Sequence, residues 1–306
     1  MGRYYGYKRG VLSYESNTVK VLFLILFVLC IVGCQQGMEA NAKKDKLNND
    51  GIIVRRETVM SDGATKLIIN NQNGLDNTYV EDVSSDLKEA FKEISSNYKN
   101  KNYEWEDTIT VNLNGSDGVS NGMKNTITLY NVVGGNHLAY HELTHTLLGF
   151  GNLEANEFNT SNGYFTQEGI AVYLQERLDP EKKVFPTNSL KLDTIIRYLY
   201  DNKRLIPIEE LISSEHRDEY YNSNDQNLAN ELLWKSYVQS GSFVKYLIDQ
   251  YGKDNFLKIY NSSNLEKDIR LIYKKDIKEL EKDWLHSIKS NNKPLNMDEK
   301  FQILFP

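Results

Sequence analysis

After Cys34 the chain contains no cysteine. No disulfide and no thiolate ligand is available to the rest of it, so any metal site there must be built from imidazole and carboxylate groups. Positive charge is also scarce. Setting aside residues 1–33 leaves 32 basic against 41 acidic side chains, a net of −9. That excludes nucleic acid as a partner, because gripping phosphates needs a basic surface. No apolar run reaches the roughly 20 residues that a bilayer core of about 30 Å requires. Residues 21–32, "VLFLILFVLCIV", number only twelve. Histidine is rare as well, yet of the five in 306 residues, His137, His141 and His145 fall within nine positions.

Twelve apolar residues after Lys20 are the right length for the core of a secretory signal. The sequence that closes them, "IVGC", resembles a bacterial lipobox, in which a small residue precedes a cysteine that is lipidated and becomes the new N-terminus. The resemblance implies lipidation at Cys34 and an anchor on the extracellular face of a bacterial cell membrane. Cys30 fits less well, because bulky Leu29 precedes it. The plain alternative is an uncleaved anchor or an apolar core strand. Residues 34–51 are polar and nearly free of large apolar groups, the composition of a flexible tether.

Neither internal repeats nor further low-complexity stretches are present. "TKLIIN" (65–70), "TITVNL" (108–113) and "NTITLYNVV" (125–133) read as strands, the last two alternating β-branched and polar residues. "NGSDGVSNG" (114–122) reads as a loop or hairpin turn. Within 79–98, Val83, Leu87, Phe91 and Ile94 fall on one helix face. From His137 onward the periodicity is helical, over 137–149, 166–178, 190–201, 230–251, 254–260 and 264–289. Signal segment 1–33, tether 34–51, a β-containing lobe 52–136, a helical lobe 137–290 and a tail 291–306 is therefore the expected order.

The densest chemistry lies in "AYHELTHTLLGF" (139–150). On a helix, positions i and i+4 share a face, so His141 and His145 can both aim at one ion. Glu142 falls about 100° round the axis. There it would accept a proton from a metal-bound water, the duty of a general base. His137 continues the spacing, but the three histidines then span about 12 Å of helix axis, too far to converge on one ion. HExxH alone is weak evidence, since a core helix with buried, hydrogen-bonded histidines looks the same. A third ligand separates the two readings.

Glu154, Glu157 and Glu168 are the candidates that follow. The first two lie in polar "GNLEANEFNTSNG", whereas Glu168 lies in apolar-faced "FTQEGIAVYLQERL". That helix could pack against the first, and Gly169 beside it would let the two approach closely. As an isolated residue, Glu168 would be a first-turn acid favoured by the helix dipole. Paired with HELTH, it is the favoured third ligand.

"HELTH" followed after 22 residues by "EGIAVYLQ" resembles the gluzincin zinc metallopeptidases of the peptidase MA clan. "YVQSGSFVKYLIDQYGKDNF" (237–256) and "DIKELEKDWLHSI" (276–288) are similar to segments downstream in bacterial members. The metzincin alternative would place Gly and His where Leu148 and Gly151 stand. The resemblance implies an α+β, zincin-like fold of two lobes, with a Zn2+ site of His141, His145 and Glu168 at their junction. It implies hydrolysis of a peptide or protein substrate with Glu142 as base, and Tyr237 as donor to the oxyanion, with Tyr246 and Tyr221 as fallbacks. Clan aminopeptidases carry a G-x-M-E-N motif whose Glu holds the substrate amine; here "NGMKN" (121–125) puts Lys124 at that place. An endopeptidase is thus favoured. A non-catalytic binding lipoprotein and a zinc hydrolase of other amides, such as cell-wall material, are the alternatives; oligomeric state is open.

Cys34→Ser is expected to leave an unprocessed precursor. Mass spectrometry of the wild-type N-terminus checks the reading, and a free, unlipidated terminus elsewhere would refute it.

Overall fold

Ile109, Val111 and Leu113 point to a buried face while the threonines and asparagine between them point away, the period of two that a half-buried strand requires. In the computed structural model, which describes residues 43–149, 163–213, 215–221, 223–225 and 228–305, this segment is the strand β4 (Thr108–Leu113). The signal segment, Cys34 and the alternative ligands Glu154 and Glu157 lie outside the described residues. Residues 43–306 form one unit.

Among the described residues, six strands make one sheet in the order β1-β2-β3-β4-β6-β5. The others are β1 (Lys44–Leu47), β2 (Ile53–Val59), β3 (Lys66–Asn70), β5 (Asn121–Gly122) and β6 (Thr126–Leu129). β3, β4 and β6 run parallel, and the remaining pairs are antiparallel. Register sets Leu67 beside Ile109 and Val111 beside Ile127, so buried side chains form rows across the sheet. They share one core with Val80, Val83, Leu87, Phe91 and Ile94 of α1 (Asn77–Asn97), a helix capped by the Asp76 side chain.

The remaining elements among the described residues are helices: α2 (Ala139–Leu148), α3 (Gly163–Leu178), α4 (Leu192–Asp201), α5 (Ile208–Leu211), α6 (Arg217–Tyr220), α7 (Ala229–Tyr251), α8 (Lys253–Ile259), α9 (Leu265–Tyr273), α10 (Ile277–Asn291) and α11 (Met297–Gln302). Among the described residues no helix is long and apolar enough to cross a membrane.

Three expectations need correction. Residues 44–47, read as tether, form edge strand β1, all of it exposed. Its residues carry no apolar alternation; pairing with β2 holds it, aided by Arg56, whose buried guanidinium grips the Asp45 carboxylate twice at 2.8 Å and also reaches Glu81. The run 264–289 is two helices, because Lys274 turns left-handed (φ 59°) and Asp276 with Glu279 opens α10 as a capping box. The tail contains α11.

Gly169 does permit a close approach, but to α7 rather than α2. A Cβ there would lie 2.6 Å from Val244 Cγ2 and 2.9 Å from the Ser240 carbonyl oxygen. Reciprocally, a Cβ on Gly241 of α7 would lie 2.6 Å from Val172 Cγ1. Gly169→Ala should therefore destabilise by about 1–3 kcal/mol, as overpacking of a tight seam does. Urea denaturation checks this, and an unchanged midpoint would show that the seam has room.

Candidate metal centre and active site

All ten residues of α2 are buried. It lies against α1, α3, β5 and β6, and Leu143 and Leu147 fill the core beneath it. This packing leaves the polar groups of HELTH to satisfy one another. The His141 and His145 rings stand 4.7 Å apart, centroid to centroid, nearly perpendicular. Glu168 reaches them from α3, where it sits in the second turn of a helix that begins at Gly163. The first-turn dipole explanation for this carboxylate therefore lapses.

Glu168 Oε2 lies 3.1 Å from His141 Nε2 and 3.4 Å from His145 Nε2. One ligand atom from each of the three residues lies within 4.8 Å of the others. Burial would push the Glu168 carboxyl up, but the two imidazoles outweigh it and hold the pKa at about 2. Burial pushes His145 down, against the pull of Glu168. Burial also opposes charge on His141, yet its hydrogen bond to Glu168 and the nearby carboxylates leave its pKa raised. Two imidazole nitrogens and one ionised oxygen, converging in a buried pocket, suit a single metal ion with an open fourth position.

Glu142 lies outside this group. Burial raises its carboxyl to about 7, with His141 opposing, Glu168 adding and a hydrogen bond from the Gly122 backbone opposing. Such a carboxyl can gain and lose a proton near neutrality. Gly122 belongs to the edge strand β5, and a Cβ there would fall 2.1 Å from the Glu142 carbonyl oxygen. Only glycine lets that strand lean on the helix backbone. Thr146 ties the same corner down, donating to the Met123 carbonyl at 2.8 Å. Nothing local in "NGMKN" marks this steric role of Gly122, because the contact is made with a distant helix. Lys124 pairs with Glu106 at 3.1 Å.

Tyr237, on α7, stacks over His141 with parallel rings (6.0 Å, 4°) and neighbours the Glu168 carboxylate. Burial, then the Glu168 and Glu142 carboxylates, push its phenol well above the usual value. Tyr221 packs beside it, with centroids 6.3 Å apart. Tyr246 instead packs with Tyr251 and Phe243. Phe185, unremarked in the sequence, closes the wall at 5.3 Å from the Tyr237 ring. His137 is buried but faces Asp86 (3.6 Å) and Lys182 (3.5 Å), and burial drops its pKa to about 3. His216 contacts Glu219, and His286 is exposed on α10.

Residues 92–290 match the family model of the Peptidase MA superfamily. The match begins inside α1 and ends inside α10, so it covers every residue of the metal group. No curated protein and no solved structure matches the chain.

Equilibrium dialysis against zinc should give about one ion per chain, as expected for one site of three protein ligands. His141→Ala/His145→Ala should abolish it. Stoichiometric metal in that double variant would refute the site.

Proposed function

Since the chain belongs to the Peptidase MA superfamily, we propose that it is a zinc-dependent metallopeptidase of the gluzincin type. The observation that carries this is the buried convergence of His141, His145 and Glu168 with Glu142 on the same helix turn. His141, His145 and Glu168 would hold the ion between a β-containing and a helical lobe. Zinc, when bound, supplies a Lewis acid that polarises a carbonyl and acidifies water. Glu142 takes the proton of the attacking water and returns it to the leaving amine. Tyr237 donates its O–H to the oxyanion. Burial and the neighbouring carboxylates favour the protonated phenol that such donation needs. A donor aimed at developing charge contributes a few kcal/mol.

Two features support an endopeptidase. β5 is the sheet edge beside Glu142, and an extended peptide can lie along such an edge. Where an aminopeptidase of the clan would present a carboxylate to the substrate amine, this chain has the Lys124–Glu106 ion pair. The proposed setting, from "IVGC" alone, is the outer face of the cell membrane with lipid on Cys34.

Glu142 and Glu168 should separate cleanly. Glu168→Ala removes a ligand, so zinc affinity and peptide cleavage should fall together. Glu142→Gln keeps the size and polarity of the side chain, so zinc should remain bound while cleavage falls about 10²–10⁴-fold. Cleavage at near wild-type rate by zinc-loaded Glu142→Gln would show that catalysis does not run through this motif.

A further inference from the structure

We infer that Gln175 is the positioning residue of His141: its amide oxygen accepts the imidazole Nδ1–H and so reserves Nε2 for the metal. The inference rests on the metal-site reading above. Gln175 follows Glu168 by seven residues on α3, two turns along the same face, so both side chains look toward α2. It is a buried polar side chain, 3% exposed. Its Nε2 donates to the Phe185 carbonyl at 3.0 Å. That bond settles which end of the amide is which, and the oxygen is left facing the other way. The Gln175 side chain neighbours the His141 ring and bears on its charge. His141 Nδ1 and Gln175 Oε1 are both fully buried, and neither forms a hydrogen bond in the structure as it stands. Leaving two such atoms unpaired carries the full desolvation penalty of each. One hydrogen bond between them, closed by a small side-chain rotation, satisfies both.

The consequence is a fixed tautomer. An imidazole that donates from Nδ1 presents a lone pair at Nε2, and Nε2 is the atom beside Glu168 (3.1 Å). The same glutamine also sets the wall of the site. Its donation to Phe185 holds the segment whose ring meets Tyr237, and Tyr237 stacks back on His141. Four side chains thus form a closed circuit around the first metal-facing ring.

Two variants of the full chain distinguish this role from a merely structural one. Gln175→Leu keeps the volume and loses both hydrogen bonds. Gln175→Glu keeps the acceptor for His141 but, when ionised, gives up donation to Phe185. Zinc affinity, measured by chelator competition, should weaken about 10–100-fold in Gln175→Leu and stay within about threefold of wild type in Gln175→Glu. In the metal-free protein, a slowly exchanging Nδ1–H proton resonance of His141, assigned by its loss in His141→Asn, should persist in wild type and Gln175→Glu and vanish in Gln175→Leu. Wild-type affinity in Gln175→Leu, or equal weakening in both variants, would overturn the inference. Failure of the wild type to bind zinc would sink the metal reading instead, and the Nδ1–H comparison would still judge Gln175. If Gln175→Leu does not fold, an affinity loss beyond about tenfold in Gln175→Glu counts as refutation.

Discussion

A carboxylate buried between two imidazoles is the constraint that the surrounding structure obeys. Taking Glu168, His141 and His145 out of water carries a desolvation cost that only mutual contact offsets. The Glu168 carboxyl illustrates the balance: burial alone would favour its neutral form, yet the imidazoles keep it ionised. Each group is therefore acceptable in the interior only while the other two are in place. That requirement ties α2 to α3 more tightly than apolar contact alone would, and it fixes which faces of the two helices meet.

Two glycines serve that alignment from outside it. Gly169 follows the carboxylate directly and lets α3 press into α7, the helix that brings Tyr237 over His141. Gly122 lets β5 touch the backbone of Glu142 from the opposite side. Neither supplies a functional group. Both remove a methyl where a methyl would push a chemical group out of position, which is how backbone proximity becomes part of the site.

The parts of this arrangement that were legible in the sequence are those governed by local spacing. The four-residue interval of HELTH, the apolar face of α1 and the alternation of β4 each follow from the period of one element. Glu168 was reachable because its helix pattern differed from the polar loop around Glu154 and Glu157. Gly122 and Gln175 were hidden for a different reason: their partners lie 20 and 34 positions away, and nothing local marks the contact. β1 was hidden because its alternation carries no apolar residues until Leu47. The break between α9 and α10 was present as the capping pair Asp276 and Glu279, but the apolar periodicity running across it read as continuous.

Arg56 gives that unremarkable edge strand a mechanical meaning. Any pull on the chain ahead of Lys43 enters the folded unit through β1, which touches the sheet along a single ladder. The guanidinium shares that load, linking Asp45 on β1 to Glu81 on α1, with its own side chain sunk in β2. Tension is thus routed into the far edge of the sheet and the helix beside it. Order β1-β2-β3-β4-β6-β5 places four strands between that edge and β5, where the backbone meets Glu142. The border of the sheet where tension would enter is thus the one farthest from the edge that leans on Glu142.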